Sequence, residues 1–264
     1  AQPESSPRMD RVAAISGVSA SPSFSDAIPK ARDSGLAPTD FGFVLGAGLA
    51  VRPDYLGSNN YEIAPNILFD ISFKDTVFLS SKHGLGVVPF KNETFYTDLH
   101  LKYWGARGDS GDLDGMVPVD PSMAVGATLG FRSEWVDVDL TGDWGVLGGN
   151  TGLDLQLSAS HWFDINESFS LRPKAWLAMS DNRYNDTLFG ISTAEAAAVN
   201  AALASAGRSE TVTVYDPNGG LREFGSSLDL EYAFSPNFSL VTSAEVSMVL
   251  GDAGQSPLVQ DLGS

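Results

Sequence analysis

Tyr61-Glu62-Ile63-Ala64-Pro65-Asn66-Ile67-Leu68-Phe69-Asp70-Ile71-Ser72-Phe73 is the stretch that decides the fold. One parity carries Tyr61, Ile63, Pro65, Ile67, Phe69, Ile71 and Phe73; the other carries Glu62, Ala64, Asn66, Leu68, Asp70 and Ser72. A repeat of two marks a strand whose faces meet different media. The run is about twice the ~5–6 residues usual in a soluble strand. It covers the ~9–11 residues that a tilted strand needs to cross a bilayer.

The pattern recurs along the chain. In 95–103, Phe95, Thr97, Leu99, Leu101 and Tyr103 alternate with Tyr96, Asp98, His100 and Lys102; in 123–131, Met123, Val125, Ala127, Leu129 and Phe131 alternate with Ala124, Gly126, Thr128 and Gly130. Similar runs occupy 136–143, 153–158, 169–177, 224–234 and 238–250. Ionised groups keep to one parity and the other is nearly free of them. Aromatics stand near strand ends, among them Phe41, Tyr61, Phe73, Tyr103, Phe131, Trp135, Phe163, Phe234 and Phe238. Strand length, aromatic ends and a small, polar second face together predict an all-β, antiparallel transmembrane β-barrel.

Clear strands are expected at 40–52, 60–73, 94–105, 122–132, 134–145, 151–162, 168–180, 221–234 and 238–250. The segment 75–90 fits a short hairpin, and the chain reaches Ser264 in a polar segment, so a closing strand is expected beyond it. Twelve strands is the favoured count, ten the alternative. Short turns at 132–134, 164–167 and 235–237 are expected on the periplasmic side, with long extracellular loops at 105–121 and 181–220. Residues 39–264 are thus the barrel. Residues 1–38, rich in Ser, Ala, Pro and Asp without a sustained period, read as a flexible periplasmic tail. Ala1-Gln2-Pro3-Glu4 resembles the end left when a signal peptide is removed; together with the barrel pattern, a Gram-negative outer membrane is the expected location.

Composition removes whole classes. A formal charge of −17 argues against nucleic acid as a partner. The absence of cysteine rules out disulfides and thiolate metal sites. No apolar run reaches the ~18–20 residues of a spanning helix. The inward parities gather the acids Glu62, Asp70, Asp98, Asp137, Asp139, Asp143, Asp154, Asp229, Glu231 and Glu245, with the bases Arg52, Lys102, Arg132, Arg172 and Lys174. Inward charges are costly unless paired or wet. Pairing makes the interior a plug of salt bridges, with Arg132, Arg172 and Lys174 expected among Asp137, Asp139 and Asp154. A wet interior makes a cation-preferring pore.

Three histidines occur, His83, His100 and His161, and His100 shares its face with Asp98 and Lys102. A lumen network is the expected role, because no Gly-x-Ser-x-Gly elbow accompanies them. Asp109-Ser110-Gly111-Asp112-Leu113-Asp114-Gly115 suggests a calcium loop, yet aligned as an EF-hand it opens on Ser110 and has Pro121 where the closing Glu belongs. No catalytic residue, metal set or cofactor site is therefore assigned. Ser192-Thr193-Ala194-Glu195 is a capping box ahead of an Ala-rich stretch, so a short helix is expected inside the longest loop.

Ordered motifs carry a resemblance to a known family. Pro53-Asp54-Tyr55-Leu56-Gly57-Ser58, Gly84-Leu85-Gly86, Tyr184 with Phe189-Gly190-Ile191-Ser192, Tyr215-Asp216, Gly220-Leu221-Arg222, Gly251-Asp252-Ala253, Ser256-Pro257-Leu258-Val259 and Gly263-Ser264 follow one another as in the MipA/OmpV family. The resemblance implies an outer-membrane barrel without catalytic residues. In the family's best-known member it implies a scaffold joining a lytic transglycosylase to a murein synthase. Expected partners are outer-membrane lipid, lipopolysaccharide and periplasmic or outer-membrane proteins. A small cation-preferring diffusion channel is the alternative function. The tail, the Ala-rich 193–206 and the closing strand are departures from the family pattern.

Overall fold

The computed structural model describes residues 11–19, 41–74 and 76–262, with side chains described only from residue 41 onward. Expectations resting on 1–10, 20–38 and Gly263-Ser264 lie outside the described residues. The strands are β1 (Arg11–Ser19), β2 (Phe41–Pro53), β3 (Tyr61–Phe73), β4 (Val77–Ser80), β5 (Gly84–Lys91), β6 (Phe95–Trp104) and β7 (Ser122–Arg132). They continue with β8 (Asp137–Gly148), β9 (Leu153–Ser160), the two-residue β10 (Phe163–Asp164), β11 (Phe169–Ser180), β12 (Gly220–Ser235) and β13 (Phe238–Val249). Four helices lie in the loops: α1 (Asn182–Phe189), α2 (Thr193–Ser205), α3 (Gly251–Gly254) and α4 (Pro257–Gln260).

All strands belong to one sheet. Leaving aside β10, which extends the edge of β11, the count is the twelve that was favoured, and 75–90 supplies the hairpin β4–β5. From β2 to β9 each strand pairs antiparallel with its successor, as β11 does with β12 and β12 with β13; β11 also pairs with β9. The stretch that decided the fold is paired end to end, from Phe41↔Phe73 to Pro53↔Tyr61.

One expectation is overturned. Residues 11–19, placed in a flexible tail, form β1, which runs parallel to both β13 and β2. It stands in the position assigned to a strand beyond Ser264. Two strand edges facing one slot each present unpaired N–H and C=O groups. A segment needs only its backbone to satisfy them, so amphipathic alternation gave no warning.

The faces are sorted in the opposite sense to a soluble protein. Leu99 is 53% exposed, Leu157 46% and Met248 62%, whereas Asp98 is 4% exposed and Glu231 is fully buried. Apolar side chains face out and charges face in. Leu68 and Val241 are fully buried apolar exceptions. β4 reaches only Asp70–Phe73 of β3, and the turn after it folds back, Ser81 N–H donating to the Phe69 carbonyl at 2.9 Å.

The short turns are built by side chains. Asn92 Oδ1 accepts from the Thr94 and Phe95 N–H groups, Asn166 Oδ1 from those of Ser168 and Phe169, and Ser133 Oγ from those of Trp135 and Val136. The loops after β2, β6, β11 and β13 instead pack together over a core of their own: Leu113, Met116, Ile191, Ala196, Val199, Leu203, Val212, Leu258 and Leu262. α2 begins with the expected capping box, Ser192 and Glu195 capping each other's backbone N–H.

Candidate functional site

Two features stand out, an inward network of charges and the loop cap above it. The network starts from strand periodicity, since alternate residues of β6 turn Tyr96, Asp98, His100 and Lys102 to one side. His100 Nε2 lies 2.7 Å from Asp143 Oδ1 on β8, with β7 between them. Register explains the reach: His100 pairs with Gly126, and Gly126 with Asp143. A Cβ at Gly126 would overlap both the His100 ring and the Asp143 carboxylate. Tyr96 crosses Gly130 in the same way to donate to Asp139 at 2.6 Å, and Trp176 lies over Gly225 and donates to Glu223 at 3.2 Å. Glycine on the inward face clears a lane across the neighbouring strand.

Around these crossings the charges pair. His100 Nδ1 is 2.6 Å from Asp98 Oδ1, and Lys102 Nζ donates to Asp143 at 2.8 Å. Arg172 donates to Asp229 at 2.6 and 2.9 Å, and Asp229 also accepts from Ser243 Oγ. Arg222 holds Asp154 and Glu223, each at 3.0 Å. Arg52 and Glu62 form an exposed pair at 2.8 Å. The Arg132 guanidinium lies over the Tyr96 ring at 4.6 Å, and Lys174 over Trp176 at 5.5 Å. Asp137 lies within the electrostatic reach of Arg132 and Arg172. Asp70, Glu231 and Glu245 each engage a neighbour.

Of the expected grouping of Arg132, Arg172 and Lys174 with Asp137, Asp139 and Asp154, Arg132 and Arg172 do come near Asp137, but Arg172 bonds Asp229 and Asp154 lies with Arg222. Arg172 sits directly opposite Asp229 in the β11–β12 ladder, a register that the sequence does not display. Asp154 belongs to Arg222, which sequence reading left out of the network although Gly220-Leu221-Arg222 had been singled out as a motif. His83, in the turn after β4, comes within 3.5 Å of Asp98. His161 packs on the Phe163 ring at 4.6 Å.

The cap draws together most of the motif residues. Tyr55 Oη donates to the Leu258 carbonyl at 3.0 Å, and Ser256 Oγ to the Phe189 carbonyl at 2.7 Å. Tyr215 Oη donates to the Asp252 carbonyl at 2.8 Å, while Asn218 donates to the Asp252 carboxylate from its backbone at 3.0 Å and its side chain at 2.9 Å. Those bonds hold the Asp252 carboxyl below its usual pKa. Gly57, at φ +94°, leaves no room for a Cβ beside Val259. Ser58 is buried beside it, and Pro53, also buried, ends β2. Gly190 follows α1, and Ser192 opens α2 while Pro257 opens α4. Burial pushes the Tyr55 hydroxyl up to about 12, the nearby Asp112 carboxylate adding to it. Tyr184 stands edge-on to Trp104 at 5.4 Å and under Arg222 at 5.1 Å, joining cap to network. Gly84 and Gly86 lie instead in the β4–β5 hairpin, where a Cβ would strike the Leu101 carbonyl and the Phe78 ring respectively. In the acidic loop, Asp112 accepts from Asn60 and Arg208.

A single, mainly antiparallel sheet with one exposed apolar face, one buried charged face and loops packed together at one end is the class of protein that these features define. The chain belongs to the family described as MltA-interacting protein MipA, whose sequence profile matches residues 45–264. No curated protein and no solved structure matches it.

Proposed function

We propose that the chain is a twelve-strand barrel of a Gram-negative outer membrane and serves as a non-enzymatic scaffold in a murein-linked envelope assembly. Closure is supported by the β9–β11 pairing on one side and the β13–β1–β2 pairings on the other. Spanning is supported by the outward apolar face, since lipid accepts a wall only when its backbone groups are satisfied within it. The family's name makes MltA the partner to test first. The observation that carries the scaffold reading is the cap: a roof with its own apolar core obstructs a pore, and the opposite, short-turn side is left to meet a murein-linked partner. Full-length protein in detergent, immobilised and challenged with purified MltA, should retain it. Failure to retain it, together with steady conductance in planar bilayers, would transfer the assignment to the second reading.

That second reading is a small cation-preferring channel. It is favoured by the 33 acidic against 16 basic residues of the chain and by the acids along the inner face. The ion pairs across that face stand against it, because they tie up the groups that would line a path.

A further inference from the structure

A compact set of titratable side chains lies where the β4–β5 hairpin meets β6. His100 is buried between two carboxylates, Nδ1 at 2.6 Å from Asp98 Oδ1 and Nε2 at 2.7 Å from Asp143 Oδ1. A neutral imidazole carries one N–H. Asp143 also accepts from Lys102 at 2.8 Å, which keeps it a carboxylate and makes it the natural acceptor for Nε2–H. The Nδ1 lone pair then points at the Asp98 carboxylate, an arrangement that a cation between them resolves.

His83 supplies a third donor. Its Nδ1 lies 3.5 Å from Asp98 Oδ2, long for a hydrogen bond, and its ring centroid is 4.8 Å from that of His100. Its Nε2 is buried with no hydrogen-bond partner among the described residues. The turn that presents His83 is fixed by its N–H donating to Ser80 Oγ at 3.0 Å. Gly84 and Gly86 let the hairpin press against β6.

We propose that His83, Asp98 and His100 bind one divalent transition-metal ion, with Asp143 orienting His100 from outside the ligand shell. The donor atoms lie within 4.8 Å of one another. Donors at ~2.0–2.2 Å from a tetrahedral ion are about 3.4 Å apart. The His83–Asp98 spacing of 3.5 Å already fits, the His100–Asp98 pair must open from 2.6 Å, and the widest pair must close from within 4.8 Å, changes of at most about 1.4 Å that side-chain rotation can share. Two imidazoles and one carboxylate suit zinc and its neighbours in the first row rather than calcium or magnesium. A ligating histidine whose other N–H is held by a carboxylate is the usual outer arrangement. Lys102 offsets the Asp143 charge.

Zinc is the probe. Full-length protein, refolded in detergent and freed of metal with a chelator, should take up one Zn²⁺ per chain at neutral pH and gain thermal stability. Cobalt in its place should give visible absorption of a low-coordinate site. His83→Ala, in the turn after β4, should lower affinity at least tenfold while retaining the folded gel mobility. His83→Gln provides a second variant should that one fail to fold. Asp143→Asn should weaken binding about 10–100-fold, as loss of an outer partner does. Absence of stoichiometric uptake, or uptake unchanged in both His83 variants, overturns the site. So does an imidazole NMR signal showing both His100 nitrogens protonated in the presence of zinc.

Discussion

Arg222 of β12 reaches past β11 to Asp154 of β9, 3.0 Å away, while its other nitrogen holds Glu223 at 3.0 Å. All three are largely withdrawn from solvent. Removing the guanidinium leaves two carboxylates without their counter-charge, a change that costs about 3–5 kcal/mol at buried sites. Arg222→Ala should lose that much in urea unfolding, and adding Asp154→Asn and Glu223→Gln should recover most of it. A single variant within ~0.5 kcal/mol of the parent would show the pair to be solvated.

Gly126 is the lane through which His100 meets Asp143. Gly126→Ala should force the two apart and lower the unfolding midpoint, by an amount comparable to His100→Ala. The double variant should then cost little more than either single change. Additive losses would mean that the glycine serves strand packing and not this contact.

Tyr55 couples the first loop to the last, and its raised pKa gives the cap a pH signature. The ordinary value is ~10, and the folded value is about 12. Because folding favours the neutral phenol, its contribution is complete below pH ~10 and is lost as the pH rises towards 12. Protease cutting in 181–219 should rise across that window. In Tyr55→Phe the cap should be weaker at pH 8, by about 0.5–1.5 kcal/mol for the missing hydrogen bond. Its alkaline rise should be shallower too. An identical pH profile in both proteins would detach Tyr55 from the effect.

Leu155 and Gln156 test the two faces side by side, Leu155 outward and 37% exposed, Gln156 inward. Arg at 155 should cost roughly 2–4 kcal/mol of stability in bilayers if the residue lies near midplane. Arg at 156, among inward acids, should cost far less. Equal costs at the two sites would remove the lipid-facing assignment.

Face and strand were legible because they depend on parity alone. The strand expected at 122–132 has those bounds in the structure, and 61–73 differs from the expected 60–73 by one residue at its start. Pairing partners were not legible, because register depends on hydrogen-bond ladders between strands far apart in sequence. Nothing in the neighbourhood of Arg172 names Asp229. The approach of His83 to Asp98 was not legible because 75–90 has too short an alternation to show which way the turn folds. β1 was missed for the opposite reason: parallel pairing along two free edges asks for backbone and not for pattern. The motifs were read as one family's set, but it takes contacts such as Tyr55 with Leu258 and Ser256 with Phe189 to show that most of them are pieces of one cap.

The cap also imposes an order on assembly. Its core joins Leu113, Val199 and Leu258, and Tyr55 meets a partner 203 residues further along. Closing loops of such length early costs entropy without return until the intervening strands have paired. We therefore expect the roof to form last, after the wall, with protease resistance in 181–219 appearing after heat-resistant gel mobility during refolding. Its hydrogen bonds would then act as a record of completion: a chain stalled partway keeps its loops open to periplasmic proteases, and only a finished one closes.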